Sequence, residues 1–265
     1  MNALKLASWM ESKISECPCG DRTFFDTKSF PWVKRVESNW RAIRKEADVL
    51  LRDKEQIPYL QDISPEQSSI AQGKAWKSFF LFGFGNKIGR NCDRCPETTR
   101  IIEQIPGLKM AMFSILAAKS HILPHRGPYK GLLRYHLGLV IPEPNFGCRI
   151  RVADEIRCWQ EGRSLIFDDS HDHEAWNDSD RDRVILFVDF LRPLPFHFSL
   201  LNSLTVWRIS KSAFVTDAVK RLRANQRVES GGRSDRAVPH NTLGTALLDD
   251  RRRELQQAKQ KGKTP

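Results

Sequence analysis

The residues able to do chemistry cluster between His121 and Pro193, in or beside short apolar runs. His125 ends HILPH, Arg134 and His136 lie in LLRYHLGLVIP, His173 opens HEAWN and Arg183 opens RVILFVDFL. Neutral imidazoles are ligands for iron, zinc and copper. His173 follows His125 by 48 positions, enough to place the two on different strands of one small barrel. Arg134 and His136 are two apart, so on a strand they share a face. The alternation of RVILFVDF turns Arg183 inward, and a buried guanidinium needs an anion, which a carboxylate supplies through two parallel hydrogen bonds. These residue types suggest a metal centre with an anionic cosubstrate beside it. Spacing alone is equally met by histidines satisfied in a β core or solvated on its surface.

The elements that must hold these side chains are short strands. KMAMFSIL, HILPH, LLRYHLGLVIP, CRIRV, EIRCWQ, SLIFDD, HEAWN and RVILFVDFL follow one another between Met110 and Leu191, with PNFG, QEGR and NDSDRD as turns. That density is expected of a sandwich, barrel or jelly roll. Ahead of them, KSFFLFGFG reads as a further strand and residues 53–75 as a polar loop. Trp32, Val36, Trp40, Ile43, Ala47 and Leu50 recur at helical spacing and predict one amphipathic helix, starting at Ser29 or at the Phe30-Pro31 turn, that packs on the sheet. A short helix is expected within residues 1–23, another at about 97–104, and a third after FLRPLP. The organisation predicted is an N-terminal extension (1–23), a jelly-roll domain with its N-terminal helix (24–200), a C-terminal helix (201–226) and a basic, disordered tail (227–265).

Composition narrows the setting. The chain has 265 residues, 40% hydrophobic and 28% charged, with seven tryptophans. No apolar run reaches the roughly 18 residues of a transmembrane helix. The first residues, MNALKLASWMESKISE, include acids and lack the apolar core of a signal peptide, so a cytoplasmic protein is expected. The net charge of +11 owes much to the tail, with RRRELQQAKQKGK as its densest part. The core has no helix-turn-helix, zinc-finger or RNP pattern. The charge is therefore read as contact with an anionic partner, substrate or membrane surface rather than as nucleic-acid recognition. Six cysteines in this length make no disulfide scaffold. Cys17 and Cys19 fit a surface turn. Cys92 and Cys95 form a CxxC that admits three readings: ordinary buried thiols, a redox pair, or a zinc site completed by Cys148 and Cys158.

The stretches HRGPYKGLLRYHLGLVIP, CRIRVADEIRCWQEGRSLIFDDSHDHEAWN and RVILFVDFLRP, in that order, resemble the aspartyl/asparaginyl β-hydroxylase family of iron(II)- and 2-oxoglutarate-dependent oxygenases. FPWVKRVESNWRAIR and NCDRCPETT agree with it, so the resemblance covers roughly residues 24–195. It implies a mainly β fold with flanking helices, a double-stranded β-helix (a cupin-like jelly roll), and an enzyme using Fe(II), 2-oxoglutarate and O2. His125 and His173 would be the metal ligands. Arg183 with Ser114 would hold the distal carboxylate of 2-oxoglutarate, and Arg134 with His136 its other end. His121 and His171 match no ligand of the family.

Most such oxygenases add a carboxylate ligand two residues after the first histidine. Here that position is Gly127, a glycine the family is known for, and Asp169 would orient a water in the vacancy. The resemblance implies a peptide, protein or small-molecule substrate, by default hydroxylated at the β-carbon of an aspartyl or asparaginyl residue. Two departures bear on this. Leu132 stands where the animal enzymes grip the substrate with an arginine. Ala71 falls where a second arginine precedes the tryptophan matching Trp76. The alternatives are an acyl-chain hydroxylase like those acting on lipid A, or a noncatalytic binding protein that keeps the fold.

Overall fold

The computed structural model describes residues 3–17, 20–70, 73–211 and 220–221. Cys19, Ala71, the end of the expected C-terminal helix and the basic tail lie outside them.

All eight strand-like runs form strands, and two antiparallel sheets result. The larger is built from β1 (Phe24–Phe25), β2 (Trp76–Gly83), β3 (Asn86–Lys87), β4 (Leu108–Leu116), β6 (Leu132–Val140), β9 (Ser164–Phe167) and β11 (Arg183–Leu191). Its spatial order is β1-β9-β6-β11-β4-β2-β3. The smaller sheet has β5 (Ser120–His125), β7 (Cys148–Val152), β8 (Glu155–Cys158) and β10 (His173–Asn177), in the order β5-β10-β7-β8. Successive strands cross between the sheets, as in a jelly roll. Asn177 ties the sheets together: its amide donates to the carbonyls of Leu116, Ala117 and Arg181 at 3.0, 2.9 and 2.8 Å.

The large sheet is covered on both faces, so its strands read as nearly continuous apolar runs instead of alternating with polar residues. On β11, Val184, Leu186 and Val188 face the helices, where they meet Val36, Ile43 and Leu50. Ile185 and Phe187 face inward with Met112, Ile122, Ile150 and Ala175, between the two sheets. The odd-numbered face of β11 that carries Arg183 is thus the inner one.

The expected amphipathic helix is two helices, α2 (Pro31–Ser38) and α3 (Trp40–Leu51). Pro31 starts the first, at the position where its missing N–H costs nothing. Asn39 makes the break. Its side-chain amide donates to the Arg35 carbonyl at 2.8 Å, taking an acceptor from the helical ladder, while its own carbonyl accepts from Ala42 and Ile43. The apolar spacing continues across the break because both segments pack on one sheet. Residues 53–75 are also more structured than a loop: α4 (Leu60–Ile63) buries both its ends. After α5 (Gly89–Arg94), α6 spans Pro96–Ile102, its first two free N–H groups bonded to the Glu46 carboxylate at 2.9 and 2.8 Å.

A third cluster joins the ends of the domain. α1 (Ala3–Ser15) and α7 (Phe196–Ser210) pack together through Leu6, Met10, Ile14 and Val206, with Tyr129 from the β5–β6 loop. Tyr129 donates to Asn202 Oδ1 at 2.8 Å, and the Asn202 amide donates to the Gly131 carbonyl at 2.8 Å. The helix of the N-terminal extension packs on α7.

Cys92, Cys95 and Cys148 are buried and, like Cys17 and Cys158, free. Cys92 and Cys95 lie in the cluster under the helices and Cys148 in the cluster between the sheets, so the large sheet separates them. That separation rules out the shared zinc site. Burial raises the Cys92 thiol and pushes Cys95 up to about 12.

Candidate active site

The pairing of β10 with β5 sets His173 directly opposite His125. Their ring centroids are 4.1 Å apart. Each ring is aimed by its own backbone: Nδ1 of His125 bonds the Leu123 carbonyl at 2.7 Å, and Nδ1 of His173 bonds the His171 carbonyl at 3.0 Å. A carbonyl only accepts, so each Nδ1 carries the proton and each Nε2 keeps its lone pair for a metal. Burial lowers the pKa of both, His125 to about 4. Neutral imidazoles, the form that coordinates, are therefore held at physiological pH. Among the described residues no cluster of three or more His, Cys, Asp or Glu surrounds a single point. The protein itself offers two imidazoles here.

Gly127 is closely backed by Asp169. A Cβ at this position would come within 2.6 Å of both oxygens and the Cγ of Asp169. The carboxylate of Asp169 thus fills the space that a side chain two residues after His125 would need. The Gly127 N–H also donates to the Asp169 carbonyl at 2.7 Å. Burial is the main cause that raises the Asp169 carboxyl, to about 7, against the pull of Arg134, whose Nη2 is 2.8 Å from Oδ2. Asp168 is different. It pairs with the buried Arg192, accepts from the Ser170 N–H at 3.0 Å and packs away from the histidines.

Opposite the histidines, the inner face of the large sheet presents Ser114, Arg134, His136 and Arg183 to the same pocket, which Trp159, Phe167 and Phe187 line. Arg183 is 1% exposed and lies 4.5 Å over the Trp159 ring. Its Nε and Nη1 find no partner among the described residues, and burial depresses its pKa to about 10. Both nitrogens of His136 and Nε1 of Trp159 are likewise buried and unbonded. Leaving a guanidinium dry and unpaired costs several kcal/mol, of order 3–5. Among the described residues no anion pairs with these nitrogens of Arg183.

The structure thus brings together all seven candidates: His125, His173, Asp169, Ser114, Arg134, His136 and Arg183. Two details differ from a simple anion clamp. Arg134 spends Nε and Nη2 on Asp189, at 2.8 and 3.0 Å, and stacks 4.2 Å above Phe187. Ser114 accepts a bond from Trp76 Nε1 at 2.9 Å. Asp189 and Trp159 escaped the sequence reading. Asp189 was discoverable, because it shares the parity of Arg183 on β11 and a charge within an apolar strand demands a partner. The remaining histidines stand apart. His121 bonds Glu174 at 2.8 Å and stacks on Trp176, and His171 sits 3.8 Å from Asp168.

Two histidines and a buried arginine with unbonded nitrogens thus face each other inside a jelly roll. The family model for aspartyl/asparaginyl beta-hydroxylase matches residues 37–193, and the chain belongs to that family. An ornithine lipid ester-linked acyl 2-hydroxylase of Rhizobium tropici is 42% identical over 218 residues, 82% of this chain and 76% of that protein. The mouse and human aspartyl/asparaginyl beta-hydroxylases are 39% and 35% identical over 61% and 73% of this chain, which spans only 22% and 24% of their lengths. Among solved structures, a prolyl-4-hydroxylase of Pseudomonas putida is similar over 58% of this chain and 88% of its own, with 18% identity and a TM-score of 0.38, too distant to add to the strand topology itself. Among the described residues no helix is long and apolar enough to cross a membrane.

Proposed function

We propose that this hydroxylase-family chain depends on iron(II) and 2-oxoglutarate and hydroxylates the acyl chain of a lipid, at carbon 2. The observation that carries the cofactor reading is Arg183: a buried guanidinium with two unbonded nitrogens, facing two histidines whose Nε2 atoms are free to ligate. A small dicarboxylate held at both ends suits that arrangement. His125 and His173 would hold the iron, Arg183 with Ser114 the far carboxylate, and His136 with Arg134 the near end. Bound there with O2, the pair supplies an oxidant able to hydroxylate an unactivated carbon.

The chain's own residues do the rest. Gly127 leaves a coordination position without a protein ligand, and Asp169 sets a carboxylate beside it that can orient water. Trp159, Phe167 and Phe187 keep bulk water from the pocket. His136, held neutral by burial and by the charges of Arg134 and Arg183, has one N–H to donate in either tautomer.

The acyl substrate is supported by the extensive similarity to the lipid acyl 2-hydroxylase and by Leu132. At the position of the animal substrate arginine, Leu132 joins the apolar cluster of Leu6, Met10 and Val206. A carboxylate brought there would go unpaired. The aspartyl or asparaginyl default is the alternative outcome of the substrate test. Anaerobic addition of iron(II) and 2-oxoglutarate to the apoprotein tests the cofactor pair. A visible metal-to-ligand charge-transfer band is expected in wild type and absent in His173→Ala. No band in wild type sinks the reading. Mass spectrometry then decides the substrate: the ester-linked acyl chain of an aminolipid should gain one oxygen atom, and an aspartyl peptide should not.

A further inference from the structure

Helix α7 is apolar on the side that the fold leaves open. Its inner side packs Val206, Leu201 and Ile209 against α1 and also buries the polar Asn202 and Thr205. Its outer side is the greasier one. Phe196, Leu200, Leu204 and Trp207, spaced four, four and three apart, are 78%, 65%, 44% and 58% exposed. Trp9, on the α1 helix packed beside it, is 41% exposed. A helix apolar on every side belongs in a core or in lipid, and α7 is held in a core on one side only.

The chemistry around this face selects its occupant. α7 contains no acidic residue. Arg208 and Lys211 are exposed at its C-terminal end, and Lys5 is exposed one turn before Trp9. Tryptophan and phenylalanine flanked by cations are the residues of a membrane interface, where aromatic rings enter the headgroup region and cations meet anionic lipid. With 15 residues, α7 is too short to span a bilayer but suited to lie in its surface.

We propose that α7, with Trp9 of α1, is an interfacial docking face that seats this chain on an anionic lipid bilayer. Asn202 binds α7 to the β5–β6 loop through Tyr129 and Gly131, and that loop starts directly after His125. Docking therefore reaches the β5–β6 loop through buried Asn202. The inference concerns attachment and holds whichever carbon is hydroxylated.

The test is cosedimentation of the full chain with vesicles of phosphatidylglycerol and phosphatidylcholine, beside the vesicle-free sedimentation of the same proteins. Wild type should partition onto the vesicles, several-fold less at high salt. Leu200→Glu with Trp207→Glu should lower partitioning at least about tenfold, with circular dichroism unchanged. Phe146→Glu, at an exposed phenylalanine in the β6–β7 loop, and the metal-site variant His173→Ala should both partition as wild type. The proposal is overturned if wild type stays in the supernatant, or if the double variant sediments as well as wild type. It is equally overturned if wild type ignores vesicles and forms a dimer that the double variant abolishes, since a second copy then covers the face.

Discussion

Replacing Gly127 by alanine tests whether Asp169 truly occupies the third-ligand space. The new Cβ would fall within 2.6 Å of the Asp169 carboxylate, whereas ordinary contact begins near 3.4 Å. The carboxylate must retreat by about 1 Å or more, and it would lose its 2.8 Å pairing with Arg134. Overpacking of this kind costs roughly 1–3 kcal/mol. Losing a buried ionic partner can cost roughly 3–5, but Arg134 keeps its two bonds to Asp189, so the lower part of the combined range applies. We expect Gly127→Ala to destabilise by about 2–4 kcal/mol. In an Asp169→Ala background the obstacle is gone, and the same substitution should cost less than about 1 kcal/mol, a coupling of about 2 kcal/mol. Urea unfolding of the four metal-free proteins, followed by far-UV circular dichroism, measures both costs. Equal costs in the two backgrounds would refute the steric account, and with it the idea that Asp169 took over the ligand's place.

Arg183→Met removes an unpaired buried charge, so it should leave the metal-free fold as stable or more stable, while anaerobic 2-oxoglutarate binding falls by about a hundredfold or more; a destabilised fold with intact binding would make Arg183 structural. Asn202→Ala deletes the two hydrogen bonds that Asn202 makes to the β5–β6 loop and should cost about 2–3 kcal/mol in denaturant unfolding. Alkylation at pH 8 with peptide mapping should spare Cys92, Cys95 and Cys148 until the protein unfolds. Burial raises the folded Cys95 thiol above its unfolded value of 9.0, so its contribution to stability is complete below about pH 9 and is lost as pH climbs towards 12, which alkaline unfolding curves of wild type and Cys95→Ala will compare.

Much of the architecture was legible in the sequence because its signals are local. Short apolar runs bounded by turn residues marked the longer strands, and parity put Arg134 and His136 on one face and turned Arg183 inward, whereas the two-residue β1 and β3 gave no such signal. The helix break at Asn39 was not legible, since the apolar spacing runs through it unchanged and only the competing Asn39–Arg35 bond interrupts the ladder. The opposite contacts of neighbours Asp168 and Asp169, one with Arg192 and one beside Gly127, were not legible in the sequence either. Nor did the sequence mark the outer side of α7, because apolar residues surround that helix and only its packing on α1 decides which of them stay exposed. The sequence by itself determined which side chains each strand could turn inward, through the two-residue period of the backbone. The tertiary structure alone decided that His125 meets His173, that a carboxylate from another strand end fills the space beside Gly127, and that Arg183 finds no anion among the described residues, because register and burial are properties of several strands together.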